Sequence, residues 1–403
     1  MDFELDADQK RLRNETRELA HEVLDGVADI ARSQASAEER FAATRPHYGR
    51  LVEAGLLRKV IPTAAGGEAT RHVDVAIIAE ELMAVDANVA LTLLATSLGV
   101  APIVHCGSES QQRDLLAPFL NATGTPLAAF GMTEPSGQAN FDAPLPGGLS
   151  TTATESTDGW IVNGTKKWVS NISGWDGKGA DLTTLVCRTP TGADSESMSV
   201  LAVRGPVDGL VVHPAPELLG YRAHLTPTVT YVDTPVLAAD LVGERGQGRQ
   251  IVGVSFLPSV ALVGAFALGL MRSAYRASLE FASTESRGGP HPIIDYPTVG
   301  FALGDAKTTI EAVSALTSRA CRALDADTPE ARELALHAKI FGSEAAVRTI
   351  ASLLSVVGVS GYSHDLPLAG LLQDAVALPV FGGSNDGVRR RQLHDLLRTT
   401  ESR

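Results

Sequence analysis

Near the C-terminus the chain reads Phe381-Gly382-Gly383-Ser384-Asn385-Asp386-Gly387-Val388-Arg389-Arg390-Arg391-Gln392, the most informative segment of its sequence. Two adjacent glycines and a short run of Ser, Asn and Asp precede three consecutive arginines. Glycine lets backbone amides come close to a bound group, and arginine binds carboxylates and phosphates through paired hydrogen bonds. Asp386 is the only carboxylate in the stretch, so few groups here could remove a proton from carbon.

The whole chain divides into three parts by sequence pattern. Residues 1–125 carry apolar residues at three- and four-residue steps, which predicts helices, and Asp86 or Asn88 could cap one of them. Residues 126–243 are dense in Thr, Val and Gly with period-two segments, which predicts a β-domain. Gly159-Trp160-Ile161-Val162 followed by Asn163-Gly164 predicts a hairpin turn. Residues 244–403 return to helical patterns. Few folds have the order helical, β, helical.

Composition sets limits on partners. The chain of 403 residues has a formal net charge of -13, which argues against a nucleic-acid partner because phosphate binding needs a basic face. The three cysteines lack metal-site spacing and cannot all pair, so we expect reduced thiols, no metal and a cytoplasmic location. The acidic N-terminus shows no signal-peptide pattern.

One uncharged segment, Ile251 to Met271, is long enough to span a membrane. Pro258 interrupts its first half, and small residues such as Gly264 and Gly269 crowd its second half. Small residues let helices approach closely, so we expect a helix buried in a bundle and no membrane partner.

Several motifs in order resemble the acyl-CoA dehydrogenase superfamily, and most closely its nitroalkane oxidase branch. Met132-Thr133-Glu134-Pro135 resembles the superfamily's Thr/Ser-Glu-Pro motif at the flavin. Lys166-Lys167-Trp168-Val169-Ser170-Asn171 resembles its second flavin-side segment, and the 381–392 stretch resembles its C-terminal flavin-side loop. The resemblance covers nearly the whole chain. It implies a helical N-terminal domain, a central β-barrel-like domain and a C-terminal four-helix bundle.

The resemblance also implies a cofactor, FAD, and the residues that bind it. Met132 and Thr133 would follow the edge of the isoalloxazine ring, and Trp168 would cover the ring face opposite the substrate. Arg287 matches an arginine that reaches the FAD diphosphate of a neighbouring subunit, so we expect a homotetramer or a homodimer. The expected cofactor-binding residues are Met132, Thr133, Gln138, Ala139, Trp168, Val169, Ser170, Arg287, Gly358, Gly361 and Ser384.

The catalytic base of the superfamily is missing. In the family, a carboxylate that removes a proton from carbon stands either where this chain has Gly382 or on the helix near Ser259. Such a base contributes about 100- to 10,000-fold to the step. The substrate could lose CO2 instead of a proton, the flavin could activate O2 as a monooxygenase, or another group such as Asp386 or His224 could be the base.

Arg389 matches an arginine that forms a charge pair with the lost carboxylate. A buried cation without a partner is costly. Either Asp386 or Asp374 pairs with it, or a substrate anion does. The expected catalytic set is Arg389, Ser259, Asp386 and Gly382 as the position of the missing base.

These observations predict an FAD-dependent oxidase or monooxygenase that acts on a small, carboxylate-bearing biosynthetic intermediate, with O2 as the expected partner. One alternative is an acyl-CoA or acyl-carrier-protein dehydrogenase with a relocated base. Another is a flavin-binding protein without catalysis, which anaerobic reduction of the flavin by any substrate would exclude.

Overall fold

The computed structural model describes residues 4–137, 139–144, 147–190 and 197–400. Residues 399 and 400 are described by their backbone only. The first part of the chain is helical. Its helices are α1 (Ala7–Leu24), α2 (Val27–Arg32), α3 (Ala37–Glu53), α4 (Leu56–Lys59), α5 (His72–Met83), α6 (Ala87–Cys106) and α7 (Glu109–Leu120).

Polar side chains define where several of these helices begin. Asp6, Ser36 and Ser108 each accept a hydrogen bond from a backbone N–H in the first turn of α1, α3 and α7. The side chain of the Gln or Glu that provides this N–H accepts a hydrogen bond from the backbone N–H of the cap residue in return. Asp86 caps α6 by accepting from Val89 N at 2.8 Å, which confirms one of the two caps predicted for this helix.

The middle of the chain forms one sheet with the order β6-β7-β3-β2-β4-β5-β8, and β1 pairs with β4. Neighbouring strands are antiparallel except at the β1–β4 and β2–β4 pairs. The strands are β1 (Ala128–Gly131), β2 (Thr152–Ser156), β3 (Gly159–Lys166), β4 (Leu182–Arg188), β5 (Met198–Arg204), β6 (Leu210–Val212), β7 (Val229–Leu237) and β8 (Leu241–Val242).

The predicted hairpin turn at Asn163-Gly164 is wrong. Both residues lie inside β3, and the register with β7 shifts between Val162 and Gly164, so the pair marks a β-bulge. At φ +147°, a Cβ on Gly164 would lie 2.6 Å from Thr151 Cα, which explains the need for glycine. The β2–β3 turn instead lies between Ser156 and Gly159.

The last part of the chain returns to helix and forms a bundle, as expected. Its core is α8, α9 and α10, and these helices approach closely because small residues meet: a Cβ on Gly264 of α8 would lie 2.2 Å from Thr317 Oγ1 of α9. The helices are α8 (Gly248–Thr284), α9 (Pro297–Asp325), α10 (Ala331–Val357), α11 (Val359–Tyr362), α12 (Leu368–Ala375) and α13 (Arg390–Thr400), with a π-helical turn at Asn385–Arg389.

Three helices in the described residues, α6, α8 and α10, are long and apolar enough to cross a membrane by length and composition. Most of the apolar window of α8 is buried inside the protein. Its buried residues include Val260, Leu268 and Met271, which belong to the hydrophobic core. The apolar character of α8 therefore serves packing within the helical bundle.

Candidate active site

A buried ion pair organises the loop that follows β1. Lys166 Nζ, at the end of β3, lies 2.8 Å from Glu134 Oε1 and 3.2 Å from the carbonyl oxygen of Met132. Glu134 also accepts hydrogen bonds from the backbone N–H groups of Ser150 and Thr151 at 2.7 and 2.9 Å. The pair therefore ties Met132 and Thr133 to the ends of two other strands.

The carboxylate of Glu134 is ionised despite its burial. Burial raises its pKa, but the nearby Lys166 ammonium and the hydrogen bonds from residues 150 and 151 outweigh that effect and lower the pKa to about 2. A carboxylate held in this way is a structural element, because four donors already occupy its oxygens.

The second segment continues from β3 and lies beside the first. Lys167 N donates to the carbonyl oxygen of Thr133 at 2.9 Å. Trp168 follows with a left-handed backbone, φ +60°, and 49% of it is exposed. Val169 is buried, whereas Ser170 is partly accessible. A large exposed indole on a strained backbone is suited to pack against the face of a flat apolar ring.

A third contact joins residues 139–140, which follow the first segment along the chain, to the C-terminal stretch. Arg391 Nη1 donates to Asn140 Oδ1 at 2.8 Å, and Arg391 Nη2 donates to the carbonyl oxygen of Ala139. Ser384 Oγ accepts from Gly387 N at 3.2 Å and so begins the π-helical turn. Gln138 lies outside the described residues.

Arg287 and Gly358, which the sequence places 71 residues apart, meet in the structure. Arg287 has φ +51°, and its Nη2 donates to the carbonyl oxygen of Val357. A Cβ on Gly358, at φ +69°, would lie 3.0 Å from that Nη2. Gly361, in the same turn, is buried against Val357. A cation beside a glycine turn is suited to a phosphate-bearing group.

The loop of the missing base has open space at its centre. Gly382 has φ +59°, and a Cβ built on it would meet no atom within 4 Å. Phe381, the preceding residue, has its ring centroid 5.9 Å from that of Tyr221 in an edge-on arrangement and 6.4 Å from that of Phe266 on α8. Position 382 therefore opens next to aromatic residues from two other parts of the fold.

Arg389 is buried against this loop without a carboxylate partner among the described residues. Nε donates to the carbonyl oxygen of Gly382 at 3.1 Å, as does Nη2, and Nη1 donates to Gln392 Oε1 at 2.9 Å. A guanidinium has five N–H groups. Two of them therefore have no acceptor within the part of the chain that the structure describes.

The two carboxylates expected to pair with Arg389 lie elsewhere. Asp386 is 91% exposed and accepts from Arg390 Nη1 at 2.6 Å. Asp374 accepts from Tyr221 N at 2.6 Å. The internal pairing expected as one alternative is therefore not formed, and Asp386 stands in solvent.

A second buried cation, Lys339 of α10, was missed by sequence reasoning. Its ammonium donates to the carbonyl oxygen of Leu378 at 2.6 Å and to Asn385 Oδ1 at 2.9 Å. Burial and then the charge of Arg389 lower its pKa to about 7. Burial, and then the charge of Arg332, lower the pKa of Arg389 to about 10. At neutral pH Lys339 is therefore only partly protonated, so Arg389 carries most of the positive charge at this loop.

Tyr221 and Ser259 complete the surroundings. Tyr221, with φ +49°, is almost fully buried, and its hydroxyl has no hydrogen-bond partner in the structure. Burial raises its pKa well above the ordinary value. An orphaned buried hydroxyl beside Phe381 is a candidate donor to a bound molecule. Ser259 Oγ donates to the carbonyl oxygen of Phe256 at 2.8 Å in the partly buried first half of α8.

These features fit a flavin dinucleotide. The exposed Trp168 can pack against one face of the ring, the buried Tyr221 hydroxyl has no hydrogen-bond partner among the described residues, and Arg287 lies at a glycine turn. Hydrogen bonds join Lys167 to Thr133 and Arg391 to Ala139 and Asn140. No group of three or more metal-ligating side chains occurs among the described residues.

Comparison with known proteins gives consistent matches along the chain. Models for the acyl-CoA dehydrogenase N-terminal, middle and C-terminal domains match residues 6–123, 129–233 and 246–396. The chain is 37% identical to nitroalkane oxidase of Podospora anserina over 415 residues, covering 98% of this chain and 96% of that protein. It is 33% identical to nitroalkane oxidase of Fusarium oxysporum, covering 98% and 95%. A nitroalkane oxidase active-site mutant crystallised with 1-nitrohexane superposes with a TM-score of 0.94 at 33% identity, covering 98% of this chain and 97% of that chain.

Lys166→Met should destabilise the protein and lower its flavin content, because it leaves the buried Glu134 carboxylate without its cation. We expect a loss of about 3–5 kcal/mol in the free energy of unfolding, measured by urea denaturation. Lys167→Met is the control, since this neighbour forms no described ion pair and lies 4.8 Å over the Trp168 ring. Equal stability of the two variants would contradict the structural role of the pair.

Proposed function

The chain belongs to the acyl-CoA dehydrogenase family, whose members are flavin-dependent oxidoreductases, and we propose that it is an FAD-dependent oxidase or monooxygenase acting on a small, carboxylate-bearing biosynthetic intermediate. The observation that carries this proposal is the buried Arg389 beside Gly382. The loop retains the buried cation Arg389 but has glycine at position 382, where the family has a carboxylate. A side chain at position 382 would have open space around its Cβ.

Charge explains why an anion fits this space. A buried guanidinium whose partners are one carbonyl and one amide oxygen keeps an uncompensated charge. Lys339, whose pKa of about 7 leaves it partly protonated at neutral pH, adds to this charge only in part. The two remaining N–H groups of Arg389 can donate hydrogen bonds to a carboxylate, which fixes its orientation and neutralises the positive charge. The orphaned Tyr221 hydroxyl offers one further donor next to the same loop.

Decarboxylation would remove the need for a base at position 382. When a β-keto acid loses CO2, the electron pair of the broken C–C bond stays on the substrate as an enolate, so no proton leaves carbon. The total charge at Arg389 is unchanged, because the enolate oxygen replaces the carboxylate as its counter-ion. FAD, when bound, would accept a hydride from the carbon β to the carbonyl, which turns the enolate into an α,β-unsaturated ketone, and O2 would reoxidise the reduced FAD.

One observation favours a second candidate, a dehydrogenase with a relocated base. Asp374 of α12 is partly buried, and burial, opposed by its hydrogen bond from Tyr221 N, raises its pKa to about 7. A carboxylate with such a pKa can act as a base near neutral pH. In the proposed function Asp374 only anchors the backbone of Tyr221.

We also propose that the protein associates with copies of itself. Large apolar side chains are exposed on the C-terminal helical part, among them Phe301, Val359 and Tyr362. Exposed apolar residues of this size mark association surfaces when they cluster. Val359 and Tyr362 are the two ends of α11, which begins directly after the Gly358 that Arg287 contacts, and this position supports a dimer or tetramer whose interface includes the cofactor site.

Arg389→Lys should weaken binding of acetoacetate by at least about tenfold, roughly 1.4 kcal/mol, because an ammonium cannot form the two-pronged contact. Affinity is measured from the change in flavin absorption on titration without O2, and methyl acetoacetate serves as the uncharged ligand. Arg390→Lys is the matched control, since Arg390 pairs with Glu344 and Asp386 on the exposed side. Loss of thermal stability with unchanged affinity would assign Arg389 a purely structural role.

Nitroethane and butyryl-CoA should reduce the flavin little or not at all, because no carboxylate stands at position 382. Anaerobic bleaching of the flavin is the measurement, with β-keto acids and simple carboxylic acids tested in parallel for bleaching and CO2 release. Asp374→Asn keeps an acceptor for Tyr221 N and should leave these results unchanged. Rapid bleaching by butyryl-CoA that Asp374→Asn abolishes would instead favour the dehydrogenase with a relocated base.

A further inference from the structure

A buried imidazole joins the flavin-side segment to α6. His224 Nε2 lies 2.8 Å from Ser170 Oγ, and His224 Nδ1 lies 3.0 Å from Thr92 Oγ1. Thr92 and His224 are buried, whereas Ser170 is partly accessible. Hydrogen-bonding distances thus connect Thr92 of α6 through His224 to Ser170, a partly accessible residue two positions after Trp168.

The hydrogen-bond partners fix which nitrogen carries the proton. The hydroxyl of Thr92 has one hydrogen, and it donates that hydrogen to the carbonyl oxygen of Asn88 at 2.9 Å. Toward His224 it can only accept, so Nδ1 must carry the hydrogen. In a neutral imidazole Nε2 then has a lone pair and accepts the hydrogen of Ser170. Burial lowers the pKa of His224 to about 3, which keeps the ring neutral above that pH.

The backbone around His224 is held as firmly as its ring. His224 N donates to the carbonyl oxygen of Tyr221 at 3.0 Å, and Ala223 N donates to Asn88 Oδ1 at 2.9 Å. Asn171 Nδ2 donates to the carbonyl oxygen of Thr92 at 3.0 Å. The loop 221–224 and the segment 170–171 are therefore both anchored to the first turns of α6, which leaves the imidazole little freedom to turn over.

From this geometry we infer that His224 is a positioning residue that binds the only hydrogen of Ser170, so that the accessible side of this hydroxyl presents lone pairs alone to the bound flavin. Such an oxygen discriminates between donors and acceptors. The oxidised isoalloxazine ring has an acceptor at N5, and two-electron reduction adds a hydrogen there and makes it a donor. An acceptor-only Ser170 beside the ring therefore stabilises the reduced cofactor and makes the flavin a stronger oxidant.

The first experiment measures the two-electron reduction potential of the FAD-loaded protein by dye equilibration. In His224→Asn the shorter side chain can reach Thr92 but not Ser170, so the Ser170 hydroxyl hydrogen loses its acceptor. The reduction potential should then fall by about 30 mV, a tenfold change in the ratio of oxidised to reduced flavin. His224→Gln can still accept at the Nε2 position and should restore the potential. In a Ser170→Ala background, His224→Asn should produce no further change.

Two results of this experiment would overturn the inference. An equal shift with and without Ser170 would show that His224 acts on the flavin through general loosening of the loop. An unchanged potential in folded His224→Asn would show that the Ser170 orientation has no effect on the flavin.

A second measurement does not depend on the flavin or on any variant. In the full-length protein labelled with 15N-histidine, the chemical shifts of the His224 ring should show a neutral imidazole with its hydrogen on Nδ1 at neutral pH. A hydrogen on Nε2, or a doubly protonated ring, would overturn the inference even if the substituted proteins fail to fold.

Discussion

The buried ion pair between Glu134 and Lys166 is the interaction on which the site depends most. It joins the loop after β1 to the end of β3, and those two segments carry Met132, Thr133, Trp168 and Ser170. Breaking a buried pair leaves a charge without compensation, which costs several kcal/mol. The left-handed backbone at Trp168 lies only two residues beyond Lys166, so a strained, exposed indole is held by a firmly anchored strand end.

The contrast with Arg389 shows what is particular to this chain. Both cations are buried, yet Lys166 has a carboxylate with ideal distance, and Arg389 has carbonyl and amide oxygens only. The positive charge of Lys166, which holds the fold together, is thus neutralised by Glu134. The positive charge of Arg389, at the loop that lacks the base, has no carboxylate partner among the described residues. Lys339, which donates to Asn385 of this loop, adds to the charge only in part, because burial and the neighbouring guanidinium lower its pKa to about 7. An anionic substrate would complete this electrostatic arrangement.

The sequence predicted much of the fold, because the helical, β, helical order and the cap at Asp86 are local signals. It failed at Asn163-Gly164, since a bulge and a hairpin turn both favour glycine and only the pairing with β7 separates them. Ordered motifs pointed to Thr133, Trp168 and Arg287. The partners of His224 lie 132 and 54 residues away and those of Lys339 lie 46 and 39 residues away, so no local pattern could show them. Tyr221 gave no signal because its orphaned hydroxyl is a consequence of burial alone.

The most direct test of the account is Gly382→Asp. The site has room for a side chain, and aspartate tolerates the left-handed backbone better than most residues. The new carboxylate would pair with Arg389 and compete with a substrate anion. The measurement is the affinity of the FAD-loaded variant for acetoacetate, followed by flavin absorption without O2. The account predicts a loss of at least about tenfold, roughly 1.4 kcal/mol. Unchanged affinity in a folded variant with normal FAD content would contradict the claim that Arg389 binds the substrate anion.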